Sequence, residues 1–124
     1  MKHLDDRALA HVADYFRALS EPLRLKILNE LRRGPRNVNQ LTQMLACSQA
    51  NVSKHLGVLS RFGLVARDAQ GTAAYYRIAD PAVYELCDLV CGRMANHLKS
   101  QADALHAFGT APARPARSLS ARPR

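Results

Sequence analysis

The chain has 124 residues, enough for one domain with a modest core but not for two. No apolar run reaches the roughly 18 residues of a membrane span, and the amphipathic N-terminus lacks a signal peptide's apolar stretch, so a cytoplasmic, membrane-free protein is expected. Eighteen Lys and Arg against ten Asp and Glu give a net charge of +8, which fits a polyanionic partner, nucleic acid before an anionic membrane surface.

That charge is unevenly spread. Residues 108–124 hold four Arg and no acid in a Pro-, Ala- and Ser-rich setting, so about half the surplus sits there. Such a tail cannot bury enough apolar surface to fold, and the expected organisation is a 1–107 domain followed by a disordered basic tail at 108–124. It serves either as a solvated extension or as a non-specific attractor of phosphate. Three cysteines are an odd number, which argues against a disulfide framework and for thiols.

The elements follow in chain order. Leu9, Val12, Ala13, Phe16 and Leu19 recur at helical spacing and predict a first helix over about Asp5 to Leu19. Ser20-Glu21-Pro22 restarts the chain, with Ser20 available to cap and Pro22 at an opening position where its missing N–H is harmless. The second helix runs from about Pro22 to Arg33 and stops at Gly34-Pro35. A short third helix, about Val38 to Leu45, has Asn37 as its cap and Val38, Leu41 and Leu45 on one face. Ala46-Cys47 turn tightly into Ser48, which caps a fourth helix from about Gln49 to Phe62, ended by Gly63. Leu64–Asp68 and Ala73–Ile78 flank the turn Ala69–Thr72 as a hairpin, with Tyr75 and Tyr76 on opposite faces of its second strand. Asp80-Pro81 opens a last helix from about Pro81 to Ala107. The fold class is therefore mainly α, a helix-turn-helix with a two-stranded β-hairpin wing.

The fourth helix carries the functional signal. Val52, Leu56, Leu59 and Phe62 cluster on one side and should face the core. The opposite side presents Ala50, Ser53, Lys54, Gly57 and Arg61, with Gln49 and Asn51 flanking it at the first turn. That face is slim, polar or basic, and holds no acid, as a helix entering the roughly 12 Å major groove requires. Gln49 and Asn51 suit bidentate contact with adenine, and Lys54 and Arg61 suit phosphates. The same pattern also fits an ordinary solvated helix face. Context favours DNA, because a short helix and tight turn precede it and a hairpin follows. In that hairpin Arg67 and Arg77 flank the tip Gln70-Gly71-Thr72, suited to a phosphate backbone or the minor groove.

Ala18-Leu19-Ser20-Glu21-Pro22-Leu23-Arg24-Leu25-Lys26-Ile27-Leu28 closely resembles a signature of the ArsR/SmtB (arsenic-repressor type) transcriptional regulators. So do Leu41-x3-Leu45-x2-Ser48-Gln49-x2-Val52-Ser53-x-His55-Leu56-x2-Leu59, the following Gly63-Leu64-Val65, and Tyr75-Tyr76-Arg77-Ile78. The resemblance covers about residues 10–95 and implies a homodimeric winged helix that dimerises through its first and last helices. It also implies a repressor of operator DNA released by a small effector, often a metal ion or a thiol-reactive species. It makes His55 a residue packed near the DNA, in a positioning or phosphate-contact role; Ser48, which caps the fourth helix, is counted with the DNA-binding residues as well. A ligand role for His55 is disfavoured because no second ligand lies three or four residues away.

Cys87 and Cys91 stand four residues apart on the last helix, beside Val83, Leu86, Val90, Met94 and Leu98. They are either small apolar fillers of a dimer seam or a soft-ligand or redox site for arsenite or another soft metal ion. Cys47, where the resembling family usually has an aliphatic residue, reads first as filler and only secondarily as a further thiolate. The zinc site of that family is not expected. Asp80-Pro81-Ala82 lacks the His of its Asp-x-His pair, His97 is followed at the third position by Ser100, and Gln40 to Met44 contains no Cys. Enzymes are disfavoured too, since there is no Gly-rich phosphate loop, no Gly-x-Ser-x-Gly and no His-Glu-x2-His. The rival class is a winged-helix interaction module for protein or RNA that senses no effector.

Overall fold

A computed structural model describes residues 3–109 of the chain. It divides into two compact units, Met1–Pro81 and Ala82–Arg124. The basic tail expected from residue 108 lies outside the described residues from position 110 onward.

In the first unit the elements run α1 (Asp6–Ala18), α2 (Pro22–Leu31), β1 (Arg36–Asn37), α3 (Val38–Leu45), α4 (Gln49–Arg61), β2 (Val65–Gln70) and β3 (Ala73–Ile78). Local chemistry sets most of these limits. The Asp5 side chain accepts from the Ala8 amide at 2.8 Å and starts α1. Asn37 and Gln40 form a reciprocal capping box at α3, each side chain accepting from the other's backbone N–H at 2.8–2.9 Å. At α2 the capping residue is Glu21, whose carboxylate accepts from the Leu23 and Arg24 amides; Ser20, expected to cap, instead donates to the Arg17 carbonyl at the end of α1. A carboxylate reaching two amides beside the helix N-terminus outcompetes a single hydroxyl.

The core is built where α2, α3, α4 and β2 meet. Ile27, Leu28 and Leu31 from α2, Leu41 from α3, Val52, Leu56 and Leu59 from α4, and Leu64 and Val65 around the start of β2 are all buried. Burying a side chain of this size contributes about 1.5–3 kcal/mol, so this cluster fixes the angle between α3 and α4. Phe62, expected in the core, is only half-buried, because it caps the end of α4 rather than continuing its inner face.

The sheet has three strands rather than the two expected, in the order β1-β3-β2 and antiparallel throughout. β1 is two residues long, too short for alternation to reveal it in the sequence. β2 extends to Gln70, which leaves Gly71-Thr72 as the turn, with Gly71 at φ +64° where glycine carries no penalty. Tyr75 and Tyr76 are both half-buried instead of one in and one out. β1 covers the edge of β3, setting Asn37 opposite Tyr75 and Arg36 opposite Tyr76.

The second unit is α5 (Ala82–Ala107), a 26-residue helix some 39 Å long at about 1.5 Å per residue. Val83 near its start is buried, and every residue from position 88 to 101 is exposed. Among the described residues no helix is long and apolar enough to cross a membrane.

Candidate nucleic-acid interface

The turn between α3 and α4 sets the interface. Ala46 adopts a left-handed conformation, φ 52° and ψ 47°, and Cys47 returns its amide to the Thr42 carbonyl at 3.2 Å. Ser48 then caps α4 by accepting from the Asn51 amide at 3.1 Å. The reversal is completed within three residues, so the first turn of α4 projects beside the N-terminal turn of α3.

α4 divides as its periodicity predicts. Val52, Leu56 and Leu59 are fully buried, while Gln49, Ala50, Asn51, Ser53, Lys54, Gly57 and Arg61 are exposed. The exposed face carries no acidic side chain, and Ser48 is exposed at its head. Gln49 is not loose: its Nε2 donates to Oδ1 of Asn39 on α3. Beside this pair opens a cleft of about 330 Å³, walled by Asn37–Asn39 and Gln49 on one side and Thr72–Ala74 of the hairpin on the other. The hairpin thus lies alongside the helix-turn-helix as a wing does.

Within the wing, Arg67, Gln70, Thr72 and Arg77 are all exposed. Arg77, expected as a phosphate contact, already holds an acid, with its Nε 2.7 Å from Oδ2 of Asp68 on the neighbouring strand. Both groups are about half exposed, so the pair is weak and water-screened, and Arg77 can be released from it.

His55 sits apart from the exposed residues. Its side chain is buried, with Nδ1 2.9 Å from Nη1 of Arg24 and Nε2 3.8 Å from Oε2 of Glu21. A guanidinium only donates, so Nδ1 accepts and the proton of the neutral ring is on Nε2, facing Glu21. Burial above all, with the charges of Arg24 and Lys54, holds the ring's pKa below the usual 6.5 against the opposing pull of Glu21. Of the two roles expected for His55, positioning agrees with this geometry; direct phosphate contact does not, because the ring is buried and bound to Arg24. Arg24 reaches further. Its Nε donates to the Ala18 carbonyl at 2.6 Å and its Nη2 to the Arg17 carbonyl at 3.1 Å, so one side chain joins the end of α1, α2 and α4.

The cysteines fall in two places. Cys47 is half-buried in the helix-turn-helix, its thiol donating to the Leu45 carbonyl at 3.2 Å. On α5, Cys87 is half-buried and Cys91 exposed, one turn apart on the same face. Among the described residues no group of three or more His, Cys, Asp or Glu side chains is placed to hold a metal ion.

This arrangement has close relatives. The HTH-type transcriptional regulator NmtR of Mycobacterium tuberculosis is 41% identical over 85 residues, covering 68% of this chain and 71% of that one. Residues 21–67, from the α2 cap into β2, match the profile described as "Bacterial regulatory protein, arsR family". The chain belongs to the arsR family. The crystal structure of M. tuberculosis Rv0081 superposes with a TM-score of 0.73 at 32% identity, covering 78% of this chain and 98% of that one. The homodimeric winged helix-turn-helix DNA-binding domain Mb0332 of Mycobacterium bovis gives 0.67 at 35% identity, covering 79% and 94%. An arsR-family chain is a transcriptional regulator, and its winged helix-turn-helix is the fold expected from the sequence.

Two residues at the interface escape a reading of the sequence alone. Asn39 looks like a surface residue of a short helix, and only the turn geometry brings it to Gln49. Arg24 lies in the signature that carries the family resemblance, but nothing in its spacing reveals contacts with α1 and α4.

Proposed function

We propose that this arsR-family regulator acts in the cytoplasm as a homodimer that binds double-stranded operator DNA and represses transcription until a thiophilic effector releases it. The observation that carries the reading is the exposed, acid-free face of α4 standing beside the wing. Gln49 and Asn51 read base edges; Ser48, Ser53, Lys54, Arg61 and the wing's Arg67 contact phosphates or the groove wall, with Ala50 and Gly57 allowing close approach. Gln70, Thr72 and a released Arg77 meet the flanking backbone. No residue is assigned a catalytic role.

Two variants test this. Lys54→Ala should weaken binding to every duplex alike and lower the log–log salt slope by about one for each phosphate left without its cation. Gln49→Ala should weaken binding to a selected operator by about 1–3 kcal/mol and to random DNA far less. Fluorescence anisotropy across a salt series separates them. Equal losses for both variants on both DNAs would sink the assignment, and salt-insensitive binding to a protein would favour an interaction module.

Cys87 and Cys91 supply the effector reading. Two thiols one turn apart offer two of the three thiolates that arsenite takes, with a partner-chain cysteine or a solution thiol as the third. The zinc-type donor set is absent from the sequence, so no zinc role is assigned. Arsenite should lower operator affinity of the wild type by roughly 5- to 150-fold and leave a Cys87→Ser, Cys91→Ser variant unaffected. A double variant that still responds would make the pair structural filler.

A further inference from the structure

We infer that Asn39 of α3 is a specificity-positioning residue, holding the Gln49 amide in the orientation that reads a base. The inference rests on the proposal that α4 enters the major groove. Both residues are exposed on that side of the protein, yet the Gln49 Nε2 is hydrogen-bonded to the Asn39 Oδ1 across the helix-turn-helix. An exposed glutamine ordinarily samples many rotamers, and ordering it against a base opposes binding. Here the ordering is already in place in the absence of DNA.

The anchor is itself fixed. Asn39 is the second residue of α3, directly inside the Asn37–Gln40 capping box, so its backbone is held by two reciprocal bonds. Gln49 is the first residue of α4, directly after the Ser48 cap. Two capped helix starts therefore face each other, and the amide bond links their side chains.

The chemistry leaves the reading groups open. A glutamine amide has two N–H donors and a carbonyl acceptor, and Asn39 engages one donor. The N–H cis to Oε1, together with Oε1, is the pair that bidentate contact with adenine N7 and N6 requires, and it stays open when Asn39 takes the trans N–H. The cleft between this pair and Thr72–Ala74 of the wing gives that edge of Gln49 room for a base.

The test is a double-mutant cycle, read as the ratio of affinities for two duplexes: a site selected from random-sequence DNA by the wild-type protein, and a scrambled version of it. Asn39→Ala should reduce that ratio roughly threefold to tenfold, leaving the scrambled-duplex affinity and the salt slope unchanged. In a Gln49→Ala background the same change should have no further effect. Asn39→Asp keeps the acceptor for Gln49 but adds a negative charge, so it should weaken both duplexes alike and preserve the ratio. Equal effects of Asn39→Ala with and without Gln49, or no effect in either, would overturn the inference while leaving Gln49 as a reader. If Gln49→Ala itself leaves the ratio unchanged, the recognition reading falls and this inference falls with it. Thermal melting of each variant identifies any ratio change that comes from misfolding.

Discussion

Val90→Glu is expected to leave the protein monomeric at micromolar concentration and to reduce operator affinity by about 10²- to 10⁴-fold. The reason lies in what α5 leaves uncovered. Leu89, Val90, Met94, Leu98 and Leu105 are each between 49% and 63% exposed, on a helix whose middle turns bury nothing within one chain. On α1, Leu9 and Phe16 are exposed as well. Monomeric soluble proteins rarely leave such a run of large apolar side chains uncovered along one helix, and a second copy covering it accounts for the pattern. A carboxylate at Val90 would have to be desolvated in that seam without a partner, a penalty of several kcal/mol per ion. The affinity falls because each monomer then reaches one half-site, without the second, intramolecular binding step that a dimer makes. Sedimentation velocity and anisotropy on the same samples check both parts. A monomeric wild type, or a monomeric variant with full affinity, would refute the argument.

How much of this is legible in the sequence differs by element. The helices that carry their own punctuation are readable: Asn37 and Ser48 announce α3 and α4, and both do cap, whereas Asp5, expected as the first residue of α1, turns out to be its cap. The inner face of α4 follows from its 3.6-residue period, and Val52, Leu56 and Leu59 are buried as that period requires. What the pattern could not supply are contacts fixed by tertiary geometry. β1 spans two residues and exists only because β3 offers it an edge. Arg77 reads as a surplus cation until the register sets it opposite Ala66, which brings Asp68 within reach on the diagonal. His55 is placed near the DNA by the family resemblance and not by its helical angle, and its burial against Arg24 is a contact that the spacing does not reveal. Of the candidate site, residue types and their helix were legible; Asn39 against Gln49 was not, since ten positions separate them.

Arg24→Ala should destabilise the protein by about 2–3 kcal/mol, lowering the melting temperature on the order of 10 °C, and should also change how stability depends on pH. The first effect comes from geometry. One guanidinium satisfies the Ala18 and Arg17 carbonyls at the end of α1 and the His55 ring on α4, so its removal unties three helices at once. Arg24→Lys should recover little, because a single ammonium cannot span three acceptors arranged around a planar fork. The second effect has a definite sign. Burial first, then Arg24 and Lys54, lower the His55 pKa in the folded state below the 6.5 of an unperturbed ring. The unfolded chain therefore binds more protons in that window, and stability rises with pH there. The neutral ring's contribution is complete above pH 6.5 and is lost as pH falls from that value through the folded pKa. Protonated, the ring would carry a proton on the nitrogen that accepts from Arg24, so the bond breaks as the charge appears. Removing Arg24 removes one of the lowering influences and the bond itself. The variant should therefore be less stable at neutral pH yet lose less on acidification than the wild type. Urea unfolding of both proteins between pH 5 and 8 measures this, and the other histidines cancel in the difference between them. Parallel pH profiles would show that Arg24 braces the helices without governing the ring, and that His55 titrates independently of the contact that holds it.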